Sequence, residues 1–218
     1  MAKRLTERRD RRQEVIAAAT RLFVTRGYHS ATIDDIAAAV SLNKGTLYYY
    51  YESKANILFD ILLGISEKQL SAVQQRREGS SADEAVREYI RRMVLFIVEN
   101  RDEALLTLQE SPFLDFWLSK DQARTLRDRY REIEGCLKKL IVEGIAKKDF
   151  VASDARVMAE AILGMVSWLP RWHQAKGRVS ASELADQFSS LVIQGLQPRP
   201  KAVTPIISAS PRRGLSEG

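Results

Sequence analysis

Two short helical patterns separated by a tight turn, within residues 32–50, constrain the fold more than any other stretch. Thr32 and Asp35 have the spacing at which a hydroxyl and a carboxylate cap a helix N-terminus reciprocally, so a first helix is predicted here. Its apolar face then breaks off, and Asn43 is placed to cap a second helix that begins at Lys44. Each helix is too short to be stable alone, so both must pack against neighbouring helices.

The second helix carries an unusual set of side chains. From Lys44 to Tyr50 it presents a lysine, a glycine, a threonine and three tyrosines within two turns. Leu47 and Tyr51 lie four residues apart and are predicted to face inward, which leaves a polar outward surface. A helix, a short turn and a second helix of this kind form the helix-turn-helix arrangement, whose second helix enters the DNA major groove.

These residues resemble the signature of the TetR family of bacterial repressors. Two positions depart from it: Ser41 follows Val40 where the family's turn usually has Ala-Gly, and Tyr51 stands where Phe is usual. A serine in a left-handed turn position is tolerated but strained compared with glycine. The positions that match are Ile36-Ala37, Leu42, Gly45, Leu47-Tyr48, Tyr50-Tyr51, Lys54 and Leu58, preceded by Leu22-Phe23 and Gly27-Tyr28.

The resemblance implies a three-helix DNA-binding head and a larger helical domain that binds a small inducer. In such proteins the ligand changes the spacing of the two heads of a dimer through the fourth helix and so releases DNA. The periodicity of the chain itself is helical, with no alternating strand pattern, so we predict an all-α fold of about nine helices. The predicted divisions are a basic N-terminal arm at 1–10, a helix-turn-helix domain at 11–53, a ligand-binding and dimerisation domain at 54–196 and a disordered tail at 197–218.

Charge is concentrated at the N-terminal end. The chain has a net charge of +6, and residues 1–54 hold ten Lys and Arg against six Asp and Glu. Such a run is often only a solvated surface, but here it directly precedes a helix-turn-helix, where cations neutralise phosphates. The arm is therefore a candidate DNA contact, and the first helix is predicted from Arg11 to Arg26.

Composition argues against several other classes of protein. The sequence has no long apolar run and no apolar segment behind its basic start, so we expect a cytoplasmic protein without a membrane partner. One cysteine and two histidines predict neither a disulfide nor a metal site. Cys136 has no histidine near it in sequence, so we expect no catalytic residues, no enzyme activity and no cofactor other than a small-molecule effector.

DNA contacts are predicted on both helices of the motif. Lys44 can donate to guanine, the Thr46 methyl can meet a thymine methyl, and Gly45 lets the backbone come close. Thr32 and the backbone amides at the start of the first helix of the motif are expected to hold a phosphate. For Tyr48 a half-buried place in the core of the head is an equal alternative. The predicted DNA-binding residues are Thr32, Asn43, Lys44, Gly45, Thr46, Tyr48, Tyr49, Tyr50 and Lys54.

Bulky apolar side chains in the second domain are candidates for an effector pocket, although each is also explained as ordinary core. Pro170 interrupts a helical pattern and is expected to kink or end the helix beside two tryptophans. The segment 164–173 resembles the Trp-x-x-Arg-Trp end of a TetR subgroup linked to fatty-acid and acyl-CoA catabolism, which implies Arg171 as an anchor for an anion. An ion pair at a subunit interface is an equal alternative for Arg171. The predicted ligand-binding residues are Met93, Phe96, Phe113, Phe116, Trp117, Met158, Met165, Trp168, Arg171 and Trp172.

The helical pattern from Val157 to Trp172 has an apolar surface too broad for a single partner, which indicates either a subunit interface or a helix fully buried in a monomer. We therefore predict a homodimer in which two helices from each subunit form a four-helix bundle. The functional hypothesis is a dimeric repressor that binds a palindromic DNA operator and is released by a small apolar or acyl-CoA-type inducer. The alternative is a DNA-binding regulator or architectural protein without an inducer, and an enzyme has the least support.

Overall fold

The protein is described by a computed structural model that covers residues 2–174 and 177–198, with side chains from residue 10 onward. Within these residues the chain forms helices and turns and no β-strand, so the predicted all-α fold is confirmed. Nine of the described α-helices have seven or more residues. The helices are Ala2–Arg26 (α1), Ile33–Ala39 (α2), Lys44–Tyr50 (α3), Lys54–Gln74 (α4), Ala82–Glu99 (α5), Arg101–Glu110 (α6), Leu114–Trp117 (α7), Lys120–Ala146 (α8), Ala155–Ser167 (α9), Leu169–Trp172 (α10) and Ala181–Leu196 (α11), with a 3₁₀ turn at Ser111–Phe113.

Local sequence signals set many of the helix ends. Reciprocal side-chain caps begin four helices, at Thr32, Ser81, Ser119 and Ser180, and each follows the hydroxyl-x-x-acid or hydroxyl-x-x-amide pattern. Gly27, with φ of +83°, ends α1 in the left-handed conformation that glycine adopts without strain. These signals fix the lengths of α1 and α2, and so the position of the motif that follows.

The first helix is longer than predicted. It begins at Ala2 rather than Arg11, so residues 2–10 continue α1. The segment is rich in Lys, Arg and Glu, which are good helix formers, and Arg11 also pairs with Glu14 one turn on. The predicted tail lies outside the described residues from position 199.

The larger domain has its own apolar core. It forms where α5 packs between α4, α8 and α11, with α9 covering α8. Side chains that are almost fully buried there include Val86, Ile90 and Met93 from α5 and Leu137 and Ile141 from α8. This core holds the C-terminal half of α4 against the body.

A second core spans the head and the body. Phe23 and Leu47 from the head pack in one buried cluster with Leu58 from α4, Leu106 from α6 and Leu126 from α8. The three-helix head therefore rests on the first half of α4, on α6 and on the N-terminal half of α8. A displacement of any of these three helices would change the packing beneath α3.

Candidate functional site

The turn between α2 and α3 has the strained geometry that the sequence predicts. Ser41 adopts φ of +54°, in the left-handed region that disfavours a side chain. The turn is closed by the Leu42 amide, which donates to the Ala37 carbonyl over 2.9 Å. The motif thus keeps a tight turn although serine stands where glycine would be relaxed.

The start and the inner face of α3 are also as predicted. Asn43 caps the helix, with its Oδ1 accepting a hydrogen bond from the Thr46 amide over 2.7 Å. Leu47 is fully buried and Tyr51 is 3% exposed. Tyr51 packs under the guanidinium of Arg12, which lies 4.6 Å from the ring centroid. These contacts fix the rotation of α3 about its axis.

The outer face of α3 is open to solvent. Tyr48 is 45% exposed and Tyr49 is 68% exposed, whereas Tyr50 is partly covered and meets the Tyr49 ring edge-on at 5.4 Å between centroids. Tyr48 is not part of the buried cluster of the head, and its contact with DNA stays a prediction. Thr46 lies partly exposed near the start of the same helix. The surface available to a partner therefore combines phenols, a threonine and the side chain of Lys44.

Lys44 is not isolated on this surface. Its Nζ lies 2.8 Å from Oδ2 of Asp34, which belongs to the first turn of α2, and both side chains are more than half exposed. The hydrogen bond and the charge of Asp34 raise the pKa of Lys44. Lys44 therefore stays charged, and any DNA contact that it makes involves Asp34 as well.

Gly45 has room for a side chain. A Cβ built on it would meet only Asn43 Oδ1 at 3.5 Å, which is an ordinary contact, and its backbone is not left-handed. The fold of this chain therefore does not itself require glycine here. A glycine inside a helix lowers stability by about 1 kcal/mol relative to alanine.

Thr32 has a role inside the chain. Its Oγ1 donates to Asp35 Oδ2 over 2.7 Å and accepts from the Asp35 amide over 3.1 Å, completing the predicted cap of α2. Asp35 is also paired with Arg26. Hydrogen bonds from Thr32 hold the pKa of Asp35 below its usual value. The hydroxyl of Thr32 is thus already used, and a phosphate contact at this position stays a prediction.

Lys54, predicted to contact phosphate, is engaged with the head itself. Its ammonium donates to the carbonyls of Tyr28, His29 and Ala31 over 2.7, 3.1 and 2.8 Å. It also lies 4.4 Å from the centre of the Tyr28 ring. An ammonium has three N–H groups, so these carbonyls use all of them. A phosphate would have to compete with the loop that joins α1 to α2.

The aromatic residues predicted to form an effector pocket are dispersed. Phe113 and Phe116 are 47% and 80% exposed on the connection before α8, whereas Trp117 packs on Tyr28 at the junction of head and body. Met93 is buried in the core of the body. Phe96 and Met158 are partly exposed on α5 and α9. The structure therefore does not bring the predicted set into one cavity, because these side chains lie on different faces of their helices.

The segment with the Trp-x-x-Arg-Trp pattern lies at the surface. Pro170 ends α9 and begins the short α10, as its missing N–H predicts. Trp168 and Trp172 are each about half exposed, and Arg171 lies over the Trp168 ring at 5.4 Å. Met165 is partly exposed one turn earlier. No enclosed site for an anion forms around Arg171 among the described residues.

A cleft that the sequence did not predict opens elsewhere in the body. It has a volume of about 910 Å³ and lies between the end of α4, the first half of α5 and α8. Val73, Tyr89 and Leu140 form apolar parts of its lining. An ion pair of 2.6 Å between Arg76 and Glu143 bridges the α4–α5 loop and α8 beside it. None of the predicted pocket residues lines this cleft.

Sequence reasoning missed Asp34 and the cleft for different reasons. Asp34 and Lys44 are opposite charges in the first turns of two joined helices, which is a signal visible in the sequence. The cleft is a gap between three helices that are distant in sequence, and no local pattern marks such a gap. Within the described residues no group of His, Cys, Asp and Glu could hold a metal ion, and no helix is long and apolar enough to cross a membrane.

Comparison with known proteins identifies the family. Residues 15–61 match the family model for bacterial regulatory proteins of the tetR family, and residues 79–196, more than half of the chain, match the tetracyclin repressor-like C-terminal domain. The chain belongs to the TetR family. The first match contains the helix-turn-helix with the turn at Ser41, and the second contains α5 to α11. TetR family members are DNA-binding transcriptional regulators, and the chain is one of these rather than an enzyme.

Individual TetR family relatives cover most of the chain. The HTH-type transcriptional repressor KstR2 of Rhodococcus jostii is 22% identical over 187 residues, which is 85% of this chain and 91% of that protein. A TetR family regulatory protein from Rhodococcus RHA1 shares the fold with a TM-score of 0.80 at 22% identity, covering 87% of this chain and 98% of the other. The regulator AibR, solved with isovaleryl coenzyme A and operator DNA, gives a TM-score of 0.72 at 25% identity, covering 86% of this chain and 98% of the other.

Proposed function

We propose that the protein is a homodimeric repressor that binds a palindromic operator through α3 and is released by an acyl-CoA-type effector. In this assignment Lys44 and Thr46 contact bases in the major groove, and Tyr48, Tyr49 and Tyr50 contact phosphates or thymine methyl groups. Asn43 holds the start of α3 in place. Lys54 we assign to the stability of the head, because its donors are used internally. The protein would act in the cytoplasm, where its DNA lies.

The DNA-binding assignment is supported mainly by the open space around the Cβ position of Gly45. Gly45 lies near the start of an exposed helix, and nothing in the chain needs its lack of a side chain. A helix that keeps a destabilising glycine without an internal reason is expected to do so for a partner that approaches its backbone closely. A DNA strand in contact with α3 is such a partner.

The test separates folding from binding at this residue. Gly45→Ala should raise the free energy of unfolding, by less than the roughly 1 kcal/mol of a helix interior because Gly45 is the second residue of α3. It should also weaken binding to duplexes selected by the wild type from a randomised pool. Gly135→Ala is the matched control, since Gly135 also has open space around its Cβ position but lies on α8. A Gly45→Ala protein that is more stable and binds the selected duplexes as tightly as wild type would contradict the assignment.

The dimer is supported by exposed apolar side chains on α9, α10 and α11 and beside them. Val157, Trp168, Trp172 and Leu191 are each between 51% and 59% exposed there. Large apolar side chains left exposed on the last helices favour a contact with a second copy, and a two-fold contact of two helices from each subunit forms a four-helix bundle. Two half-sites one helical turn apart on DNA require two heads, which a dimer supplies.

Light scattering after size-exclusion chromatography tests the dimer. Leu191→Glu and Val157→Glu should shift the protein towards a monomer, because two charges would be buried in the interface. Val142→Glu is the control, since Val142 is 48% exposed and lies on α8 rather than on α9 or α11. A monomeric wild type, or equal effects of all three changes, would contradict the assignment.

The effector assignment combines the cleft with the AibR likeness. The cleft offers an apolar lining together with the cations Arg77 and Lys139, of which Arg77 also acts electrostatically on Glu84 in the same lining. A coenzyme A thioester has phosphates at one end and an acyl chain at the other, so it matches such a lining. AibR, of the same fold, was solved with such a thioester. The competing possibility is a regulator that needs no effector.

Gel-shift titration distinguishes the two. Acyl-CoA thioesters, but not the corresponding free fatty acids, should release the selected duplex from wild type. Lys139→Ala should weaken this response, whereas the control Lys138→Ala, at a neighbouring exposed lysine outside the cleft, should leave it unchanged. Unaltered DNA binding across acyl chains of all lengths would favour the regulator without an effector.

A further inference from the structure

Asp34 and Lys44 meet across the turn of the helix-turn-helix. The Lys44 ammonium and the Asp34 carboxylate are 2.8 Å apart, with side chains 54% and 63% exposed. Lys44 is the first residue of α3, and Asp34 lies in the first turn of α2. The pair therefore joins the two helices of the motif at its solvent-facing side.

The effect of this carboxylate on stability is small: in the first turn of α2 it interacts favourably with the positive end of the helix dipole, by about 0.3–1 kcal/mol. Exposed ion pairs contribute little to folding because water screens them and both side chains lose freedom. The N-terminus of α2 is already capped by Thr32 and Asp35, and Asp35 also binds Arg26. Among the described hydrogen bonds and ion pairs, Asp34 makes only the one to Lys44.

A negative charge at this place also has an unfavourable effect. DNA presents a phosphate charge on every nucleotide, so a carboxylate on the DNA-binding surface lowers affinity for all sequences alike. The same charge acts on Lys44. A lysine has a flexible stem of four carbons, and its ammonium would otherwise settle on the nearest phosphate, where it reads no sequence.

We propose that Asp34 is a specificity-determining residue that holds the Lys44 ammonium over one base and keeps it away from phosphates. One of the three N–H groups of Lys44 is bound by Asp34, which leaves two for the O6 and N7 acceptors of a guanine. This inference rests on the proposed function, because it requires α3 to lie in the major groove. It goes beyond that function by assigning a role to an acidic residue that makes no attractive contact with phosphate.

The experiment compares selected and scrambled duplexes for wild type and Asp34→Asn. Duplexes are first selected by the wild-type protein from a randomised pool, and dissociation constants are then measured at several salt concentrations. Asp34→Asn should bind scrambled DNA several-fold more tightly, and its ratio of scrambled to selected dissociation constants should fall by about tenfold. A new selection with the variant should lose base preference at the guanine position and keep it elsewhere.

Two further variants separate positioning from simple charge. Asp128→Asn removes an exposed carboxylate of α8 that is paired with Arg131, and it should leave the ratio unchanged. In a Lys44→Ala background, Asp34→Asn should still tighten binding to scrambled DNA but should no longer change the ratio. Asp34→Glu, which keeps the charge, should retain more of the wild-type ratio than Asp34→Asn.

The outcomes distinguish the inference from the function on which it rests. If wild type selects no preferred sequence, the proposed function and the inference both fail. If wild type is selective and Asp34→Asn keeps both its ratio and its base preference, only the inference fails. Equal effects of Asp34→Asn with and without Lys44 would likewise overturn it, because the carboxylate would then act through charge alone.

Discussion

The indole N–H of Trp117 donates a hydrogen bond of 2.9 Å to the carboxylate of Glu110, where the body meets the head. Trp117 also packs on Tyr28, with ring centroids 5.1 Å apart. Glu110 is only 8% exposed and is the last residue of α6, where the negative end of the helix dipole disfavours a carboxylate. Burial raises the pKa of Glu110, although the hydrogen bond from Trp117 and the charge of Lys54 act in the opposite direction.

Glu110→Gln is expected to raise the melting temperature at neutral pH, because the amide oxygen still accepts the Trp117 N–H while no charge is buried. The folded state holds the Glu110 proton more tightly than the unfolded state, whose pKa is near the ordinary value of 4.5. The stabilisation that this proton confers is therefore fully present below the unfolded-state pKa of Glu110. It is lost as the pH rises through the pKa of Glu110 in the folded state. Thermal melts should show the advantage of the variant growing as the pH rises above the unfolded value and through the raised pKa of folded Glu110.

The control for that change is Glu99→Gln. Glu99 is the last residue of α5 and is exposed, so its replacement should alter the melting temperature little at any pH. A Glu110→Gln protein that melts below wild type at neutral pH would mean that the attraction between Glu110 and Lys54 outweighs the effect of burial.

Lys54→Met should destabilise the protein. The methionine keeps most of the apolar stem but removes the donor of three carbonyls, so we expect the free energy of unfolding to fall by roughly 2 kcal/mol or more. Lys68→Met, at an exposed lysine of the same helix, should have little effect in urea titrations. Unchanged stability together with a flatter salt dependence of DNA binding would instead support the phosphate contact predicted from the sequence.

Lys54 shows where sequence reasoning reaches its limit. Its place at the start of α4 is readable, since Ser53 before it is a helix cap. Its partners cannot be read from the sequence, because even the carbonyl that is closest along the chain belongs to a residue 23 positions earlier. The caps at Thr32 and Asn43, the turn at Ser41 and the burial of Leu47 all depend on neighbours within a few residues, and these predictions are confirmed.

Ser41→Gly should stabilise the protein by about 1 kcal/mol, because glycine adopts the positive φ of this turn without strain. Ser41→Ala is the control, since alanine keeps the strain and removes only the hydroxyl, and it should give no gain. Chemical denaturation measures both. A gain for alanine equal to that for glycine would show that the hydroxyl, not the backbone, is the unfavourable element.

Gly144→Ala and Gly135→Ala are expected to have opposite effects within one helix. A Cβ at Gly144 would lie 2.1 Å from the buried ring of Phe150, so we predict a loss of roughly 2 kcal/mol in the free energy of unfolding. At Gly135 a Cβ meets nothing within 4 Å, and alanine should stabilise α8 by about 0.5–1 kcal/mol. Thermal melts of equal sign for the two variants would contradict this.

Met93, Trp117 and Trp172 explain why the residues predicted for an effector site do not lie together. All three are large apolar residues in helical segments, and the sequence does not distinguish them. Met93 lies in the body core, Trp117 joins head and body, and Trp172 stacks on Phe188 at the surface. Which face of a helix is covered depends on the packing of helices far apart in the chain, and periodicity alone does not give that packing.

The apolar cluster that contains Phe23, Leu47, Leu106 and Leu126 has a consequence for engineering. A regulator of new specificity can be built by joining the DNA-binding domain of one protein to the ligand-binding domain of another. In this chain the predicted boundary between the two domains is residue 53. A cut there would leave Phe23 and Leu47 without their partners on α4, α6 and α8. The transferable module of this protein is therefore not a stretch of chain but a surface, and only the outward side chains of α2 and α3 can be exchanged without rebuilding what lies beneath them.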